Sequence, residues 1–144
     1  MKPWIYIASP YTRGDQAQNV AFQLRIWDIL AGSGVVTPIA PLWTHFQHLY
    51  SARPYEVWVA YDHEIIERCD ACLRLDACNA RFGYVQHESS GADGEAAKFA
   101  GLGRPVFYDI EEAFQWARQF RSSSILRCDP PCGIAGRPQT AGTG

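Results

Sequence analysis

Short apolar runs alternate along this chain with longer stretches whose apolar residues recur every three or four positions, and the alternation predicts strands and helices in turn. Trp4 to Ala8 (WIYIA) is apolar throughout and halts at Ser9-Pro10, which predicts a buried strand delivering its end into a loop. From about Asp15 to Ala31 the residues Ala17, Val20, Ala21, Leu24, Trp27 and Leu30 predict a helix facing the core, closed by Gly32-Ser33-Gly34. Val35 to Thr37 begins a second strand that stops by Pro38 or Pro41, and the aromatic, irregular stretch Leu42 to Pro54 reads as an excursion over the strand ends with one short helix. Pro54 suits a helix start, and Val57, Trp58, Tyr61, Ile65 and Ile66 carry that helix from Tyr55 to Cys69. Ala71 to Leu75 predicts a third strand and Cys78 to Glu88 an unusual loop. A helix then runs from SSGADGE to about Ala100, with a fourth strand at Pro105 to Tyr108 and a last helix at Ile110 to Phe120. The tail, Arg121 to Gly144, is rich in Ser, Pro, Gly and Thr and reads as disordered.

Strands and helices alternating at these lengths imply an α/β fold, because parallel neighbours need crossover helices. The expectation is a flavodoxin-like, doubly wound parallel sheet of four to five strands, one domain over residues 1–120. Ligands bind such sheets beyond the carboxyl ends of the strands, where the strand order reverses. The segments expected there are Ser9 to Gly14, the loop after Pro38, the chain from Asp76, and Ser89 to Glu95.

Composition narrows the partners. The 144 residues carry a formal charge of −2 with neither a basic run nor an acidic tail, so bulk electrostatics favours neither a nucleic acid polymer nor an anionic membrane. No apolar stretch approaches the roughly 18 residues of a membrane span, and the run at Trp4 is too short for a signal peptide. Five cysteines, an odd number, point to a reducing, cytoplasmic setting. Cys69-x2-Cys72 and Cys128-x3-Cys132 have spacings a zinc site uses, but cysteines at a helix-to-strand passage also pack as small hydrophobes. His45 and His48 offer two metal ligands without a third in register.

The candidate chemistry centres on Glu95. A helical side chain tilts toward the N-terminus, so this carboxylate is expected over the helix mouth, where the dipole favours its ionised form by ~0.3–1 kcal/mol. The alternative is a solvated first-turn glutamate behind an S-x-x-D cap made by Ser90 and Asp93. Ser89, Ser90 and the Gly91 amide suit a phosphate or hydroxyl group at the helix start, with Arg13 the nearest cation. Tyr11, Trp43 and His45 could contact a planar ligand or simply pack, and Asp76 could line the pocket or begin its loop.

Four segments, in order, carry a family resemblance: Ile5-Tyr6-Ile7-Ala8-Ser9-Pro10-Tyr11, Trp58-x3-Asp62, Arg68-Cys69-Asp70-Ala71, and Ser89-x-Gly91-x3-Glu95 followed by Ala100 and Gly103-Arg104-Pro105-Val106. In these the chain resembles the nucleoside 2-deoxyribosyltransferase-like superfamily, over about residues 4 to 109. The resemblance implies that Glu95 attacks the anomeric carbon of a deoxyribosyl N-glycoside, that Asp62 assists the base or holds the sugar, and that Tyr6 hydrogen-bonds the nucleophile. Tyr6 as a plain core aromatic remains the alternative. Ser9, Pro10 and Tyr11 fall in the matching first segment beside the substrate. The resemblance further implies a nucleoside or nucleotide as partner, no metal or organic cofactor, and a homo-oligomer in which a neighbour completes the site. Two departures stand out. Arg13 is one position away from the arginine of the family's nucleotide-hydrolysing branch, leaving nucleoside against monophosphate open, and the Cys78 to Glu88 loop is unlike the usual connection.

Overall fold

The computed structural model describes residues 1–84, 86 and 88–125, the last five as backbone. Four parallel strands, β1 (Trp4–Ala8), β2 (Thr37–Ile39), β3 (Ala71–Arg74) and β4 (Val106–Phe107), form one sheet in the order β2-β1-β3-β4. This is the flavodoxin-like order, with its reversal between β1 and β3. The helices are α1 (Gln16–Gly32), α2 (Thr44–Tyr50), α3 (Tyr55–Ile66), α4 (Ser90–Gly101) and α5 (Ile110–Ile125), with 3-10 turns at Pro41–Trp43 and Ala77–Phe82.

The strand period of two divides the core. Ile5 and Ile7 of β1 pack with Phe22, Ile26 and Leu30 of α1 and with Ile110, Ala113 and Ala117 of α5. Tyr6 and Ala8 point to the opposite face, against Ile66 of α3 and Ala92, Ala96 and Phe99 of α4. Residues Ile5 to Ala8 are wholly buried, as a central strand covered on both sides requires.

Several boundaries move for identifiable reasons. β2 runs through Pro38, which is tolerated because β2 is an edge strand paired only with β1. α3 ends at Ile66 rather than Cys69, because the Arg104 guanidinium gathers the carbonyls of Ile66, Glu67 and Cys69 at 2.7, 2.9 and 2.7 Å and satisfies the helix end there. α5 continues to Ile125, so the first five residues expected in the tail are helical; the rest, 126–144, lie outside the described residues.

The inward face of α1 differs from the expected stripe. Ala17, Ala21 and Trp27 are exposed, and the buried positions are Asn19, Val20, Phe22, Gln23, Ile26 and Leu30. The two buried amides hold backbone. Asn19 donates to the carbonyls of Tyr11 and Arg13 at 2.9 and 2.7 Å. Gln23 donates to the Ile7 carbonyl at 2.9 Å and to the Ser9 hydroxyl at 2.8 Å, and accepts from the Leu42 amide at 2.8 Å. Together they fix the loop after β1 and the turn after β2. Gln23→Leu strands a buried amide and a buried carbonyl, so it is expected to lower unfolding free energy by about 2–4 kcal/mol in urea titrations.

At the start of the loop from Cys78 to Glu88 the chain forms the 3-10 turn Ala77–Phe82. Asp76 caps it, accepting from the Cys78 amide at 2.9 Å, while Asn79 donates to the Tyr108 carbonyl at 2.8 Å. Arg81 forks onto Asp109 at 2.9 and 3.1 Å. These bonds anchor the turn beside β4, and Glu88, at the other end of the loop, meets Arg13. Val85 and His87 lie outside the described residues. No helix among the described residues is long and apolar enough to cross a membrane.

Candidate active site

A cleft of about 970 Å³ opens over the carboxyl end of β1, walled by the loop after β1, by α2 and α3, and by the mouth of α4. Glu95 and Asp62 both line it. The Tyr6 hydroxyl, directed from β1 beneath the cleft, donates to Glu95 Oε1 at 2.8 Å. Tyr6 is therefore both a core aromatic, tilted against Phe99 with centroids 5.8 Å apart, and the hydrogen-bond partner of the carboxyl.

The cap of α4 is one residue earlier than the S-x-x-D pattern suggests. Ser89 has extended backbone and its hydroxyl accepts from the Ala92 amide at 3.2 Å, so Ser90 is the first helical residue and Asp93 is free to turn elsewhere. Asp93 accepts from Arg74 Nε at 2.9 Å.

Electrostatics departs from the expectation of an ionised Glu95. The side chain is half-buried, with one edge on the cleft, and loss of water around its carboxyl pushes it up to about 8. The Tyr6 hydrogen bond lowers it, the nearby Asp62 charge raises it, and Arg74 lowers it. Desolvation exceeds the helix dipole because the dipole contributes only ~0.3–1 kcal/mol, while burial of a carboxylate moves its pKa by up to several units. Asp62 is pushed up to about 6 by burial, and its Oδ1 has no hydrogen-bond partner among the described residues. An unsatisfied buried carboxyl oxygen on a cleft wall is a group awaiting a ligand or a proton. Tyr6 itself is raised well above its ordinary value, mainly by burial, so it stays a donor throughout the range in which the two carboxyls titrate.

The remaining expected residues divide into two groups. Ser9, Tyr11, Arg13 and His45 line the cleft, as do Ser89, Ser90 and Gly91 at the start of α4. Tyr11 and His45 form a pair, hydroxyl to Nδ1 at 2.7 Å, with their rings edge to face. Arg13 forms an exposed ion pair with Glu88 at the rim. Pro10 is buried between lining residues, Trp43 is 57% exposed, and Asp76 is occupied capping its turn; none of the three lines the cleft.

The sequence reading missed a second aromatic pair. Trp58 of α3 donates its indole N–H to His48 Nδ1 of α2 at 3.0 Å, and both line the cleft with Arg53 and Tyr55. Indole is a donor only, so neutral His48 carries its proton on Nε2. The signal available was the aromatic density of residues 43–58, but the pair itself has no local signature because its partners come from different elements. Neither histidine assembles with other ligands: among the described residues no group of three or more His, Cys, Asp or Glu stands close enough to hold a metal ion. Cys69 and Cys72 are buried between the sheet and α4, where burial pushes the Cys69 thiol up to about 12 and raises Cys72 likewise; Cys128 and Cys132 lie outside the described residues.

Fold and site together define an α/β domain of flavodoxin-like strand order, with two carboxyls in a cleft at the strand ends. No protein-family model matches the chain, and neither does any curated protein or solved structure.

Proposed function

We propose that this protein cleaves or exchanges the N-glycosidic bond of a (deoxy)nucleoside or its 5′-monophosphate through a covalent ester on Glu95. The observation that carries the reading is the Tyr6 to Glu95 hydrogen bond at the floor of a cleft that Asp62 shares. Tyr6 holds Oε1, which leaves the second oxygen of Glu95 for attack on the anomeric carbon. As that C–O bond forms, the C–N bond to the base breaks, its electron pair stays on the base nitrogen, and the proton from Asp62 neutralises the leaving group. The oxocarbenium-like transition state is stabilised by the negative carboxylate beneath the sugar. Water, deprotonated by the Asp62 carboxylate, then hydrolyses the ester, or a second base displaces it. The scheme calls on no metal or organic cofactor.

The proton inventory fits a pair sharing one proton. Between about pH 6 and pH 8 the two carboxyls together hold one proton and one charge. Burial favours the protonated form of both carboxyls, and the reactive arrangement places the shared proton on Asp62. A developing cation above Glu95 favours that placement, because it stabilises the Glu95 anion that burial disfavours. Intact mass after mixing with a slow 2-fluoro-deoxynucleoside is expected to show a glycosyl adduct, mapped by peptide digestion to Glu95. An unmodified protein with intact, bound ligand counts against the covalent route.

A second reading has one observation in its favour. A carboxyl raised to about 8 is a neutral hydrogen-bond donor at pH 7, as in a non-catalytic module that binds a nucleotide or a nucleotide-derived signal. Saturable binding without turnover, retained in Glu95→Gln, identifies that case. For either reading we infer a homo-oligomer, supported by the apolar side chains of Phe46, Leu49, Tyr55 and Val57 exposed around the cleft on α2 and α3; light scattering at the mass of a single chain overturns it.

A further inference from the structure

His48 and Trp58 line the cleft, and the proposed reaction uses neither. The indole N–H of Trp58 on α3 donates to His48 Nδ1 on α2 at 3.0 Å, and the two rings meet at 63° with centroids 5.9 Å apart. An indole only donates, so Nδ1 is committed as an acceptor and the proton of neutral His48 sits on Nε2. Nε2 itself has no hydrogen-bond partner among the described residues and is not sealed from solvent. His45, one turn earlier on the same helix, differs: its Nδ1 partner is the Tyr11 hydroxyl, which can donate or accept and so leaves the tautomer open. A half-buried imidazole on a cleft wall, with one nitrogen fixed and the other free, is a directed N–H donor.

We propose that His48 is a specificity-determining residue, its Nε2–H donating to the exocyclic group at the far edge of the base, and that Trp58 is the positioning residue that fixes this donor. The inference rests on the N-glycoside reading, in which Asp62 faces the base nitrogen that leaves the sugar. Trp58 and Asp62 are four residues apart on α3 and both line the cleft, which sets them one helical turn, ~6 Å, apart along the axis. With the 5′ end of the sugar at the mouth of α4, the base extends from Asp62 along α3 and presents its far edge to the Trp58–His48 pair. That edge carries a carbonyl in uracil, thymine, hypoxanthine and guanine, and an amino group in cytosine and adenine. A carbonyl accepts from His48, whereas an amino group sets donor against donor. The substrate class selected is the deoxynucleosides of keto bases. One hydrogen bond gained, against two donors left facing each other, corresponds to about tenfold in affinity.

Nitrogen-15 NMR of histidine-labelled protein reads the tautomer without any ligand, at a pH about two units above the ordinary histidine value of ~6.5. The His48 signals are those missing from His48→Phe, or from His48→Ala where the larger ring is not accommodated. They are expected to report Nε2–H in wild type and a mixture of tautomers in Trp58→Phe. A mixture already present in wild type, or no change in Trp58→Phe, overturns the positioning role. Specificity is read by calorimetry in the Glu95→Gln background, where turnover does not interfere. The ligands are deoxyinosine with deoxyadenosine and deoxyuridine with deoxycytidine, each also as its 5′-monophosphate. The keto member of each pair is expected to bind about tenfold tighter, and the His48 variant to bring the ratio within about twofold of one. A wild-type ratio near one, or a ratio unchanged by the His48 variant, overturns the base preference and leaves the glycosidase reading intact. If no member of the panel binds, the glycosidase reading falls and the base preference falls with it.

Discussion

Glu95→Gln is expected to lower base release at least about 10³-fold while leaving the fold intact and substrate affinity within a few-fold. The amide keeps the size of the carboxyl and can still receive the Tyr6 hydroxyl, so the cleft floor is preserved. What is lost is the electron pair that bonds to the anomeric carbon and the negative charge under the oxocarbenium-like transition state. Both belong to the transition state far more than to the bound substrate, so the loss falls on kcat rather than KM. Asp62→Asn separates the second role. A general acid contributes about 10²–10⁴-fold where the leaving group needs a proton, and little where the base departs easily. The Asn variant is therefore expected to be severely slowed on ordinary bases and nearly normal on an activated leaving group. Release of base that survives Glu95→Gln, measured by chromatography over hours, removes Glu95 from the mechanism altogether.

The architecture was legible where local pattern and tertiary role agree. β1 is an unbroken apolar pentapeptide and is the central strand, buried from Ile5 to Ala8, and α1 begins where Asp15 caps it, accepting from the Gln18 amide at 3.0 Å. Pattern failed where side chains serve the site. The core-facing turn of α1 is polar because Asn19 and Gln23 bind the loop that carries Tyr11 and Arg13, so an apolar stripe searched for in that helix comes out rotated. The start of α3 at Tyr55 was evident, though its end falls three residues before the expected Cys69, and of its residues only Ile66 is buried, since the helix stands beside a cleft rather than against the sheet. Glu95 was legible as a position and misjudged as a charge: the helix dipole is readable from sequence, whereas desolvation depends on Tyr6, Asp62 and the walls around them. The partnership of Arg74 with Asp93 joins strand to helix across nineteen positions and has no local signature.

Burial of the same carboxyl makes stability depend on pH in a direction opposite to that of an ion-paired acid. The folded state raises Glu95 from 4.5 to about 8, so its proton is held more tightly folded than unfolded. The contribution is fully present below about pH 4.5 and is lost as pH rises through about 8, above which the folded protein must bury an anion. Asp62 acts in the same sense over a lower window, from 3.8 to about 6. At 1.36 kcal/mol per unit the Glu95 rise corresponds to a ceiling near 5 kcal/mol, and its cleft-facing edge reduces this to about 3 kcal/mol. The expected result is that wild type loses about 3 kcal/mol more than Glu95→Gln between pH 5 and pH 9, a difference of roughly 1–2 M in urea midpoint. Groups far from the cleft titrate alike in both proteins and cancel in the comparison. An equal loss in the two proteins means that Glu95 is already ionised at low pH, and it would remove the proton-sharing pair from the mechanism while leaving Glu95 available as a permanent nucleophile. A larger loss in wild type ties the two properties together: the anion that attacks the sugar is the form the empty fold least favours, and a cationic transition state above it supplies what Tyr6 and Arg74 do not.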